Sequence, residues 1–123
     1  MIGYTTIGAN DLEKSKSFFD AALAPLGVKR SFDLGRIQFY GAVGAGALAV
    51  CKPYDEADAS VGNGGMVALT SPSRAVVDEV HAAALAAGGT CDGQPGLRME
   101  HFYGAYFRDL DGNKFCVFKM GKE

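Results

Sequence analysis

The chain repeats itself, and the repeat limits what it can fold into. Ala21-Ala22-Leu23-Ala24 matches Ala83-Ala84-Leu85-Ala86, and Gly27 then falls opposite Gly89, at an offset of about half the chain. Around each match the same signals recur in the same order: strand, capping residue, helix, glycine stop. Two copies at that spacing exclude a solenoid, which needs a shorter period and more units. They call for two like modules around a shared core, as 123 residues allow.

The first copy opens with a strand over Ile2 to Ile7, with Ile2, Tyr4 and Thr6 on one face and Gly3, Thr5 and Ile7 on the other. Asn10 reads as a helix N-cap, and Glu13 completes a capping-box pattern. The helix is expected from Asp11 to about Pro25, with Leu12, Phe19, Ala22, Leu23 and Leu26 inward and Lys14, Lys16 and Ser17 outside. Pro25 and Gly27 stop it. Strands are expected over Val28 to Leu34, Arg36 to Ala42 and Ala45 to Lys52, with Gly35 and Gly44 in the turns. The second copy places a strand over Met66 to Leu69 and a helix from Ser71-Pro72 to about Ala87. Val76, Val77, Val80 and Ala84 face inward, and strands follow over Thr90 to Asp92, Phe102 to Asp109 and Lys114 to Lys119. The expected organisation is one domain, 1–123, with a first module over about 1–52, a linker over 53–63 and a second module over about 64–123.

Charge and composition narrow the function. A net charge of -2 with scattered basic residues gives no footprint for nucleic acid. No apolar run reaches the ~18 residues of a membrane span. The N-terminus lacks a basic start followed by an apolar stretch, so a cytoplasmic location is expected. Cys51, Cys91 and Cys116 are odd in number and widely spaced, which suits neither a disulfide framework nor a CxxC site.

Gly104 to Phe118, GAYFRDLDGNKFCVF, reads as strand, tight turn at Asp111-Gly112-Asn113, and strand. This stretch resembles the closing hairpin of the glyoxalase/bleomycin resistance/dioxygenase superfamily, the vicinal oxygen chelate proteins. YTTIGANDLEKSKSFFDAALAPLGVKR, from Tyr4 to Arg30, is similar to that superfamily's opening strand and helix, so the likeness spans nearly the whole chain. The resemblance implies an α+β fold: two βαβββ modules forming a curved mixed-sheet cup, helices on the outer face and ligands inside.

In metal-using members a His on the opening strand, a His on the first strand of the second half and a Glu on the last strand hold the ion, with a fourth ligand from the last strand of the first half. Matched residue by residue, these positions are Tyr4, Met66, Cys116 and, approximately, Ala49. Hard or borderline divalent ions want imidazole and carboxylate. A phenol, a thioether, a thiol and a methyl do not supply them, and no metal or other cofactor is expected.

Other candidates carry two readings each. Cys116 is a cavity thiol or an inert core cysteine. His81 reads as a partly exposed helix-face histidine, and His101 as a general base or ligand contact, or as a loop-edge residue. Arg98 and Arg108 can orient an anionic ligand, although Arg108 can equally pair with Asp109 or Asp111. Tyr103 and Phe118, with Tyr40, Tyr106, Phe39 and Phe102, are numerous enough to line an apolar pocket.

The reading that follows is a metal-free binding protein of the bleomycin-resistance type. It holds a small, partly apolar molecule in the cup, against Tyr4, Met66, Cys116, Arg98, His101, Tyr103 and Phe118, and forms a homodimer that covers its strand edges. The alternative is a superfamily enzyme, a lyase, isomerase, dioxygenase or thiol transferase, using a divalent metal or a metal-independent variant built on His101, Glu100 or Tyr4. A purely structural or partner-binding domain is a third class, since fold does not fix function.

Overall fold

A computed structural model describes all residues, Met1–Glu123. The first module runs β1 (Tyr4–Gly8), α1 (Leu12–Ala22), a single 3-10 turn (Ala24–Leu26), β2 (Arg30–Asp33), β3 (Ile37–Tyr40) and β4 (Ala47–Cys51). The second runs β5 (Val67–Thr70), α2 (Arg74–Ala86), β6 (Thr90–Met99), β7 (Phe102–Arg108) and β8 (Lys114–Met120). The sheets have the same topology, β1-β4-β3-β2 and β5-β8-β7-β6. In each, the first strand lies parallel to the last and the other pairs are antiparallel. The letter repeat is thus a repeat of topology.

β4, ALAVC, is buried from Ala47 to Val50 on both faces, as a continuous apolar run in a central strand should be. Its Leu48 and Val50, with Tyr40 of β3, face the helices. They join one 16-residue cluster with Phe18 and Phe19 of α1, Val77, Val80 and Ala84 of α2, and Phe107, Phe115 and Val117 of the second sheet. Both helices therefore share one core with both sheets. Aromatic packing crosses the module boundary: the Phe19 ring lies 5.3 Å from Phe115, and the Phe18 ring 6.3 Å from Phe107. A smaller cluster, Phe39, Ala47 and Ala49, lies on the opposite, helix-free face of the first sheet.

Both helix starts differ from expectation by a small shift, with a physical cause. Asp11, not Asn10, caps α1, its Oδ1 accepting from the Lys14 N–H at 3.1 Å. Asn10 is occupied elsewhere: its Oδ1 accepts from the Ala59 N–H, and its own N–H donates to Asp111 Oδ1. Ser73, not Ser71, caps α2, because the Ser71 N–H still donates to the Phe118 carbonyl and extends the β5–β8 ladder. The end of α1 also tightens, with Pro25 in the 3-10 turn and Gly27 closing it at φ 72°.

Two side chains expected outside are inside. Lys16 is buried, its stem packed and its ammonium 3.1 Å from Glu13. His81 is only 4% exposed. β6 is much longer than Thr90 to Asp92. It continues through Gly93, Pro95 and Gly96 to Met99 with several register irregularities, which an edge strand tolerates.

Candidate functional site

The site is built by the β7–β8 hairpin. Asp109 organises its turn: Oδ1 accepts from the Asp111 and Asn113 N–H groups at 3.0 and 2.8 Å, and Gly112 sits at φ 86°. The turn sets the register, pairing Arg108 with Lys114, Tyr106 with Cys116, Gly104 with Phe118 and Phe102 with Met120. Because side chains alternate, these residues form the row opposite Phe107, Phe115, Ala105 and Val117, which face the helices. Asn113 Nδ2 donates to the Gly8 carbonyl at 3.0 Å and to Asp109 Oδ2 at 2.9 Å, tying the end of β1 to this hairpin.

The helix-free face of the second module is aromatic and cationic. Phe102 and Phe118 stack at 5.1 Å with their planes 9° apart. Arg98 Cζ lies 5.3 Å, and Lys114 Nζ 5.5 Å, from the centroid of the Tyr106 ring. Asp92 takes two of the cations, Arg108 Nε at 3.0 Å and Lys114 Nζ at 3.5 Å. Cys116 is buried beneath them, 1% exposed. Desolvation pushes its thiol up, against the smaller downward pull of a Tyr106 hydrogen bond and of the Arg98 and Lys114 charges. Burial likewise raises the Tyr106 phenol. A thiol held protonated is poor as a nucleophile and as a metal ligand.

The first module contributes Tyr4, whose ring meets Phe39 edge-on at 5.1 Å. Thr6 and Gly8 follow it on the same face, paired with Ala49 and Cys51. Where β1 approaches the second module, a groove of about 350 Å³ is lined by Thr6, Gly8, Val61, Met66, Asn113 and Lys114, among others. A larger concavity of about 810 Å³ lies away from these faces, among Asn10, Arg36, Lys52, Tyr54 and Asp58. Its rim is mainly charged and polar and lacks the apolar lining that small-molecule sites favour.

Of the residues singled out from the sequence, Tyr4, Cys116, Phe118 and Arg98 lie on helix-free faces, and Met66 lies in the junction groove just before β5. Tyr103 does not. Its partner in the ladder is Lys119, its ring packs against the helix-side core, and its hydroxyl donates to Asp78 Oδ1 of α2 at 2.6 Å. The alternation that turns Phe102 and Gly104 to the open face turns Tyr103 to the helices. His101 lies in the β6–β7 turn, half-exposed, with Nε2 3.6 Å from Glu100 Oε1. Arg108 pairs with Asp92 and not with Asp109 or Asp111. Phe39, Phe102 and Tyr106, expected only as part of a general aromatic lining, do lie on the open faces, and Lys114 joins them there although the sequence did not single it out as a site residue. Phe102, Tyr106 and Lys114 follow from counting outward in pairs from the Asp111-Gly112-Asn113 turn, which sets Tyr106 against Cys116.

The matches to known proteins agree with this architecture. The family model for the Glyoxalase/Bleomycin resistance protein/Dioxygenase superfamily matches residues 1–117. The chain belongs to that superfamily. A crystal structure of a glyoxalase/bleomycin resistance protein from Albidiferax ferrireducens is 36% identical, with TM-score 0.91 over 98% of this chain and 99% of that one. A hypothetical protein from S. aureus (23% identical, TM-score 0.75, 97% of this chain and 92% of that one) shares the fold. So does a lactoylglutathione lyase from Agrobacterium tumefaciens (21% identical, TM-score 0.69, 97% and 92%). No curated protein matches.

The residues at the superfamily's metal positions do not fit a hard divalent ion. Tyr4 abuts the Phe39 ring, Met66 offers a thioether, and Cys116 holds its proton under Tyr106. Ala49 is buried with no donor. No group of three or more His, Cys, Asp or Glu side chains stands close enough to hold a metal ion.

Proposed function

We propose that this chain is a small-molecule-binding protein that holds a partly apolar ligand on the helix-free faces of its two modules without the metal ion used by metal-dependent relatives. The observation that carries the reading is the replacement of imidazole and carboxylate by Tyr4, Met66 and Cys116, two of them against aromatic rings. Such a surface binds by removing apolar area from water, about 25 cal/mol per Å². The faces are open in the single chain: Tyr4 is 51% and Met120 56% exposed. Exposed apolar groups of this kind, with free strand edges at β2 and β6, favour a homodimer in which the faces are covered and the ligand is enclosed. Three free cysteines suit work in the reducing cytoplasm.

Native mass spectrometry of gently purified protein, with elemental analysis, tests the reading. The expected result is a dimer carrying an organic molecule and no metal at one equivalent. Zinc, nickel, manganese or iron at one equivalent per chain would overturn it.

A further inference from the structure

We propose that the helix-free face of the second module takes a small aromatic carboxylate, its anionic end on Arg98 and Lys114 beside Tyr106 and its ring against the Phe102–Phe118 stack. This deepens the binding reading above and rests on it.

Arg98 carries the argument. Its guanidinium donates to the Gln94 carbonyl at 2.5 Å and lies over Tyr106, and it forms no ion pair with any carboxylate. The neighbouring cations are satisfied differently: Arg108 and Lys114 share Asp92, and Arg108 also donates to the Gly112 carbonyl. Three cations thus meet one carboxylate on this face, in a chain whose net charge is -2. A positive patch on an acidic protein attracts anions locally. A guanidinium without a carboxylate, pre-oriented on an aromatic ring, suits a planar bidentate anion.

Glycines bring the cation and the aromatic stack together. A Cβ at Gly96 would meet Arg98 Nη1 at 3.2 Å, and one at Gly93 would meet Arg98 Nη2 at 3.2 Å and Tyr106 Cδ2 at 2.8 Å. A Cβ at Gly104 would meet the Phe102 ring at 2.8 Å. Gly96 and Gly104 are direct ladder partners. The guanidinium therefore lies on one bare glycine and the Phe102 ring on its neighbour, side by side on the sheet. One small molecule with an anionic head on a flat apolar body spans both. A neutral amide of the same shape would leave the Arg98 charge without a partner.

The test compares 2-naphthoate with 2-naphthamide by isothermal titration on the full chain. Naphthoate should bind about tenfold or more tightly than the amide. That preference should shrink as salt is raised. Arg98→Gln should weaken naphthoate about tenfold and leave the amide unchanged, while Arg98→Lys restores part of the loss. Phe118→Ala should weaken both ligands. Arg98 is exposed on an edge strand, so the unaltered melting temperature of Arg98→Gln checks that folding is intact. Equal affinity for the two ligands, or unchanged naphthoate binding by Arg98→Gln, would overturn the carboxylate assignment and leave apolar binding standing. No binding of either at millimolar concentration would sink both.

Discussion

Asn113→Ala should destabilise the chain far more than an ordinary turn substitution. The side chain amide donates to the Gly8 carbonyl at 3.0 Å and to Asp109 Oδ2 at 2.9 Å, both partly buried. The first bond joins residues 105 apart in sequence and links the end of β1 to the β7–β8 turn. Each such bond is worth about 1 kcal/mol net, more where an ionised acceptor is left short. The expected loss is therefore about 2 kcal/mol. For a chain of this size that corresponds to roughly 8 °C in melting temperature. The backbone N–H of Asn113 keeps its bond to Asp109 Oδ1, so the turn itself should survive. Asn113→Asp should be worse than alanine, because it sets a carboxylate against the Gly8 carbonyl and the Asp109 carboxylate. Urea denaturation followed by circular dichroism measures both, with an unchanged slope expected if only native-state bonds are lost. A loss below about 0.5 kcal/mol for Asn113→Ala, the range of ordinary surface changes, would refute the clamp between the modules.

Acid should weaken the fold through His81. Burial lowers its pKa against weaker opposing pulls from the Tyr106 backbone and Asp78, and its Nε2 has no hydrogen-bond partner. The unfolded chain thus takes up the proton first, so this contribution is whole above about pH 6.5 and is lost as pH falls towards the lower folded value. Relative to His81→Leu, the wild type should lose up to about 1.4 kcal/mol per pH unit in that window, and matching urea curves for the two proteins would contradict the burial argument. Cys116 should resist iodoacetamide at pH 7.5 in the native protein while Cys51 and Cys91, both partly exposed, react first; peptide mapping that finds Cys116 alkylated first would contradict its protonated, buried state. Tyr4→His, Met66→His and Cys116→Glu together should lower the metal-free melting temperature, by placing polar groups on an apolar surface, and should restore part of it when Mn²⁺ is added.

Much of the fold was legible because its signals are local. The letter match around Ala21 and Ala83, the glycine stops and the Asp111-Gly112-Asn113 turn located the helices and the last hairpin, and the pair of βαβββ modules followed from the superfamily likeness. The helix caps moved because tertiary contacts compete for the same side chains. Asn10 is drawn to Ala59 and Asp111, and Ser71 is held by the β5–β8 ladder. Gly93, Pro95 and Gly96 look like breakers in the sequence, yet β6 runs through them, because an edge strand with bulges absorbs all three. At the site, a run such as Phe102-Tyr103 does not say which residue faces the helices, and it is Tyr103 that does. The Asp78 contact is invisible until α2 packs on β7. The Arg98–Tyr106–Lys114 arrangement was hidden for the same reason, since it depends on the register of three strands and on glycines that leave space.

The proposed function requires that an organic ligand, and not a metal ion, stabilises the native chain. Its most direct test is the melting temperature of the wild-type protein, freed of small molecules, with Mn²⁺, Zn²⁺ or Ni²⁺ added separately at increasing concentration. An ion bound to a native site at about 100 times its Kd would add about 2.7 kcal/mol, roughly 10 °C for this chain. The donor set of Tyr4, Met66 and Cys116 predicts no rise with any of the three ions. A saturable rise of several degrees with one of them, abolished by Cys116→Ala, would contradict the account.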